Sequence, residues 1–300
     1  MKKKTYLFAL MAMALTLGSC SDNENGIGGE TSKYITVSTS IGNMTRVATD
    51  ANGGQTFEEG DEISVYAWTG APTVAPETSE RVVNNAINKL TNGSWVSTPQ
   101  MLWKNNRDKH YFIGVYPTAV ISDLSAGEYT FDVNKQTESD LLVAVNKDGL
   151  SYNADAQQTV PLTFTHVMAK LAVNLTYKNQ WGGIPTVEKV VVGNAAKEAI
   201  INYLTKVVTP STTTKEDFSL PEITENTKYV SVIIPQEDVK QLTIVIGGKN
   251  FVYDNGTPFK LESGKITTVN LEVGRDEIKL GDVKITNWED GSTFSGVALN

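Results

Sequence analysis

The sequence predicts an all-β protein built as two β-sandwiches in tandem. Three observations carry that expectation. Apolar residues recur with period two in many short runs, the runs are bounded by Gly, Pro, Asn or Asp, and only two stretches could hold even a short helix. The first run is Tyr34 to Ile41, where Ile35, Val37, Thr39 and Ile41 share one face and Tyr34, Thr36, Ser38 and Ser40 the other. DEISVYAW repeats the pattern with Ile63, Val65 and Ala67, and YFIGVYP, LLVAV, EKVVV, YVSVIIP, LTIVI, NFVYD and TTVNLEV follow. The two helical stretches are ERVVNNAINKL at 80–90 and NAAKEAIINYL at 194–204, both weakened by β-branched residues or Asn. So many strands exceed what one open sheet usually holds, which is why two sandwiches are expected. The join is placed near residue 160, giving an N-terminal domain over 34–160 and a C-terminal domain over 161–300. There the polar SYNADAQQTVP precedes LTFTHVMAKLAVNLTY, apolar enough to predict a close contact between the halves.

Composition removes several function classes. The chain has 300 residues, 40% hydrophobic and 20% charged, with a formal charge of -8, which argues against a nucleic-acid partner. One cysteine and two histidines cannot build a disulfide scaffold or a Cys/His zinc site. Met1 to Lys4 is basic, Thr5 to Leu17 is apolar, and small residues lead up to Cys20, the order of an export signal occupying residues 1–19. The apolar run is shorter than the roughly 20 residues a membrane helix needs. LGSC resembles the lipobox of bacterial lipoproteins, which implies cleavage before Cys20, lipidation of its thiol and attachment to outer-membrane lipid. SDNENGIGGE follows, so residues 20–33 read as a flexible tether.

Groups that could carry chemistry are few, and each has a plainer explanation. His166 alternates with Leu162, Phe164 and Met168 and reads as a core histidine, whereas His110, beside Lys109 and Tyr111, reads as a surface residue. Glu58, Glu59, Asp61 and Glu62 precede a strand, where carboxylates serve as caps and solvated charges. GIGG at 26–29 precedes no helix and is no phosphate loop. No catalytic set, metal site or cofactor is expected. Trp68, Trp95, Trp103, Trp181 and Trp288 are expected mainly in packing, although an exposed aromatic face on a sandwich could stack on sugars, which keeps glycan binding as the rival class.

The ordered set FEEGDEISVYAW, YFIGVYP, QTESDLLVA, VPLTFTHVMAKLAVNL, ITTVNLEVG and ITNWEDG resembles the fimbrillin-like lipoproteins of Bacteroides-type bacteria, subunits of protease-assembled (type V) pili. The resemblance runs from Tyr34 to Trp288. It implies two domains of transthyretin-like topology, display at the outer membrane and cell surface within a fimbrium, and partnership with other pilin subunits. It further implies that an arginine-specific surface protease removes the first strand, over 34–46, and that a neighbour's strand replaces it. By location Arg46–Val47 is the bond to cut, with Lys33 or Arg81 as alternatives, Arg81 the less favoured because a cut there would also remove the DEISVYAW strand and damage the core. Removal would vacate the seats of Ile35, Val37 and Ile41, leaving an apolar trench beside unpaired edges. The tail from about 276 to 300 supplies alternating donor material in two segments, Ile278, Leu280, Val283 and Ile285, then Phe294, Val297 and Leu299. A stalk, tip or anchor subunit would each keep different parts of this machinery.

Overall fold

The computed structural model describes residues 33–42, 56–153, 158–254 and 256–288. They are nearly all β, as alternation and turn residues require, with one short helix at Gln136–Ser139 and single 3-10 turns at Thr78–Glu80 and Asn179–Trp181. The earlier strands are β1 (Thr36–Ile41), β2 (Glu62–Thr69), β3 (Arg81–Thr91), β4 (Ser94–Thr98), β5 (His110–Tyr116), β6 (Gly127–Thr130), β7 (Leu142–Leu150) and β8 (Thr159–His166). After them come β9 (Ala169–Tyr177), β10 (Val187–Ala196), β11 (Glu198–Asn202), β12 (Val207–Pro210), β13 (Lys215–Ser219), β14 (Glu222–Thr224), β15 (Lys228–Ile233), β16 (Gln241–Ile246), β17 (Lys249–Asp254), β18 (Lys265–Val273) and β19 (Ile278–Asn287).

Both stretches considered for helix are strands. Residues 81–91 form β3, and 194–204 are divided between β10 and β11. Their asparagines explain the mixed signal. Asn85 (φ 58°) and Asn194 (φ 55°) sit in the left-handed region beside register shifts, one opposite Val65/Ala67 and one between Val192 and Ala195. Asn tolerates that conformation, so each marks a bulge within a strand.

One seven-stranded sheet has the order β1-β8-β7-β5-β2-β3-β4. Its central strands are buried on both faces and feed two cores. Ile63, Val65 and Ala67 of β2, with Phe112, Leu142 and Phe164, face a smaller core, while Tyr66 and Trp68, with Ile113 and Val143, face a larger one. That larger core continues between a five-stranded sheet, β14-β15-β9-β18-β19, and a four-stranded sheet, β13-β10-β16-β17. The seven-stranded sheet runs through His166, so β8 belongs with the earlier strands and the change of sheet falls just beyond it, past the expected join near 160. β6 pairs with β11 across that join, so the halves share hydrogen bonds as well as core.

Packing in the smaller core is tight enough to dictate a glycine. A Cβ on Gly114 would lie 2.6 Å from Phe164 Cζ and 3.1 Å from Leu162 Cδ1. Gly114→Ala is therefore expected to destabilise the chain by about 1–3 kcal/mol, read as a lower urea midpoint at unchanged slope.

Candidate functional site: the seat of the first strand

β1 is an edge strand pairing in parallel with β8, with Thr36 opposite Thr159, Val37 opposite Val160, Thr39 opposite Leu162 and Ile41 opposite Phe164. Its other side is zipped at the start only. Ile35 N–H donates to the Met101 carbonyl at 2.9 Å, Trp103 N–H donates to the Lys33 carbonyl at 3.2 Å, and Tyr34 bridges Leu102. The sheet thus curls until β1 lies between β8 and the segment after β4. Lifting β1 out would leave a gap with an unpaired β8 edge along its whole length.

The floor of that gap is apolar. Ile35 and Val37 are buried and Ile41 is half-buried, all packed in the smaller core with Val160, Leu162, Phe164 and Met101. The alternation read from the sequence is therefore the one that places these side chains inside. Full burial of such a side chain is worth roughly 1.5–3 kcal/mol, so vacating these seats leaves a surface with a strong demand for a new occupant. One position is polar: Trp95 Nε1 donates to Thr39 Oγ1 at 3.0 Å. Outside, Ser40 Oγ donates to Thr163 Oγ1 at 3.2 Å.

Four arginines stand in the chain. Arg46 and Val47 lie outside the described residues, as do Cys20, Phe294, Val297 and Leu299. Arg81 is buried, its guanidinium donating to the carbonyls of Ile121 (2.6 Å) and Ser122 (2.5 Å) and to Asn84 Oδ1 (2.9 Å). A protease that needs an arginine side chain in its pocket could not take Arg81 without unfolding β3. Lys33 is exposed, but a cut there would leave β1 in place.

Ile278, Leu280, Val283 and Ile285 lie in β19, which pairs antiparallel with β18. Opposite them stand Val273, Leu271, Val269 and Thr267, so they prolong the core face beyond the cover of the facing sheet. Leu280, Val283 and Ile285 remain more than a third exposed. To act in another subunit they would have to leave β18. The strand is closed off by Trp288, buried, whose backbone N–H donates to the Gly264 carbonyl at 3.1 Å. Its ring stacks on His166 at 4.1 Å and lies 4.1 Å from Lys170 Nζ.

His166 is the partnered histidine expected from its alternation, with Nδ1 2.8 Å from Asp140 Oδ1. His110 corrects the expectation of a surface residue, since it is fully buried. Its Nε2 accepts from the Lys104 N–H at 3.0 Å, and its Nδ1 lies 3.1 Å from the Asp108 carbonyl. Burial pushes its pKa down, keeping it neutral, and both ring nitrogens are spent on a loop. Three of the four carboxylates around the start of β2 also have structural partners. Glu59 accepts from the Asn92 N–H at 2.7 Å, Asp61 from the Glu58 N–H at 2.7 Å, and Glu62 pairs with Lys89 at 3.0 Å. Trp68 and Trp288 are buried and Trp95, Trp103 and Trp181 half-buried, the depth that packing requires.

The fold is that of a β-sandwich protein in which β1 forms one edge of a seven-stranded sheet. A family model described as fimbrillin-like matches residues 45–288, and the chain belongs to that family. No curated protein matches the sequence. Among solved structures, a cell adhesion candidate from Bacteroides uniformis superposes with a TM-score of 0.64 at 19% identity, covering 86% of this chain and 100% of its own. A second, from Bacteroides ovatus, gives 0.61 at 18% identity over 85% and 97%. A fimbrial protein from Bacteroides vulgatus gives 0.52 at 14% identity over 84% and 99%. At these identities the likeness is one of fold. Family and fold support a pilus-type subunit of the cell surface, structural in role.

Proposed function

We propose that the protein is a structural pilus subunit, exported as a lipoprotein through Cys20 and assembled at the outer surface by replacement of β1. An arginine-specific protease cuts at Arg46–Val47, β1 leaves, and a strand from the tail of another subunit enters the vacated seat. Repetition of such a head-to-tail contact gives an open filament, which serves adhesion. The observation that carries the reading is the placement of β1. It is an edge strand, continuous with the tether, whose removal opens one apolar slot and leaves the order of the other six strands unchanged. We take the donor from residues 289–300, because β19 is already held by β18 and pinned at Trp288.

The self-pairing of β19 favours a second reading, a non-polymerising surface lipoprotein that binds glycans, or a tip or anchor subunit, with the C-terminal strand kept at home. Intact mass and N-terminal residue of the protein recovered from the cell surface separate the two. Assembly by strand replacement predicts a chain beginning at Val47 without lipid. A chain that stays at lipidated Cys20 would overturn it in favour of the second reading.

A further inference from the structure

We propose that Trp95 sets the register of the strand that replaces β1, and that this strand is Thr293 to Leu299 of a second copy of the chain, running in the opposite sense to β1. The proposal rests on the strand-replacement reading above and adds to it an occupant, a direction and a residue that reads it.

The present occupant shows what the groove requires. Successive inward positions are filled by Ile35, Val37, Thr39 and Ile41, two deep apolar seats followed by a hydroxyl and a half-buried place. The hydroxyl answers a fixed donor. Trp95 packs edge-to-face on Phe57, with centroids 5.3 Å apart, and Phe57 in turn meets Phe164 at 5.1 Å and Tyr116 at 5.3 Å, so the indole is wedged with its N–H toward Thr39. An occupant presenting an aliphatic side chain there would shut that N–H away from water without an acceptor, a costly arrangement.

The sequence after Trp288 contains one answer to this pattern. Read toward the N-terminus, Leu299, Val297 and Ser295 repeat the order of the first three places, apolar, apolar and hydroxyl, and Thr293 brings a β-branched side chain to the half-buried fourth. A strand so placed lies antiparallel to β8, a pairing that an open edge accepts as readily as a parallel one. Leu299 and Val297 then take the seats of Ile35 and Val37, and Ser295 accepts from Trp95. Ala298 comes to stand opposite Thr159, and Phe294 opposite Thr163.

Cells producing the full chain test this, because cutting at Arg46 removes Cys20, the single cysteine. The pair Thr159→Cys with Ala298→Cys is expected to give a ladder of disulfide-linked subunits on a non-reducing gel, and Thr163→Cys with Ala298→Cys none. Ser295→Val is expected to lower filament yield about 10-fold, the scale of one buried donor left unpaired, and Ser295→Thr to leave it unchanged. Adding Trp95→Phe to Ser295→Val removes that donor and restores assembly. Folding is controlled by the melting of the uncut chains, in which Thr39 still satisfies Trp95. Filaments from Ser295→Val at the parental yield, or a ladder from the Thr163 pair alone, would overturn the register while leaving strand replacement standing. If the parental chain forms no filaments at all, strand replacement itself fails and the register with it.

Discussion

Arg46→Ala is expected to leave a full-length, lipidated precursor that forms no filaments. The uncut β1 would remain covalently attached beside its own groove, and an attached strand competes at an effective concentration in the millimolar range, far above that of a neighbour's tail. Its parallel ladder to β8 and the burial of Ile35 and Val37 would then hold the slot closed. The expected loss of filaments is at least about 100-fold on the same argument. Electron microscopy of the surface and the intact mass of the recovered chain read both halves of the prediction. Arg107→Ala is the control, since Arg107 is exposed in the loop between β4 and β5, where a local change leaves the groove intact. Normal filaments from Arg46→Ala would sink the assignment of the bond.

The parts of this site that could be read from the sequence are those encoded by local alternation. Ile35, Val37 and Ile41 announce a buried face because every second residue of an edge strand points the same way. His110 escaped the same logic because β5 is buried on both faces, so a polar residue beside Lys109 signals nothing about depth. The strands β3 and β10 carried helix-like stretches because a bulge shifts the apolar phase by one residue at Asn85 and Asn194, and a shifted period of two imitates a longer period. Pairings between distant segments had no local trace at all. The parallel register of β1 on β8, the β6 to β11 ladder, and the hydrogen bond from Trp95 to Thr39 are decided by the closing of the sheet. Arg81 shows the same limit from the other side. The sequence already disfavours it, because a cut there would remove the DEISVYAW strand, but the hold on its guanidinium by carbonyls some forty residues away has no local trace.

Trp288→Ala is expected to cost about 3–5 kcal/mol and to free the end of β19. The ring is buried where β8 ends and β9 begins, between the His166 imidazole and the Lys170 ammonium, and its own N–H has no hydrogen-bond partner among the described residues. What it contributes is therefore burial, stacking and the cation–π contact, all lost together on truncation. Lys170 supplies a readout specific to this cluster. Burial pushes its pKa down to about 8, with Asp140 opposing. The unfolded chain thus binds the proton more tightly than the folded one, so stability is lowest below pH 8 and rises as the pH climbs toward the unfolded value of 10.5. The rise should be about 1–3 kcal/mol, because the cation–π contact favours the charged form and offsets part of the burial cost. The window to measure is pH 8 to 10. Above it the phenols of Tyr177 and Tyr203, raised from 10.0 by burial, begin to reverse the trend. Urea titrations across that window should show the rise in the parent chain and a smaller one in Lys170→Met, where Lys206, its pKa also lowered by burial, supplies the remainder. A Lys170→Met chain that keeps the full rise would assign the proton elsewhere. Loss of the Trp288 anchor should also raise hydrogen exchange along β19 while leaving β8 protected, since among the described residues β19 has β18 as its only hydrogen-bonded neighbour in the sheet. Equal exchange in both strands would mean that Trp288 supports the whole β8–β9 corner, and that the body of the subunit extends further into the tail than the anchor implies.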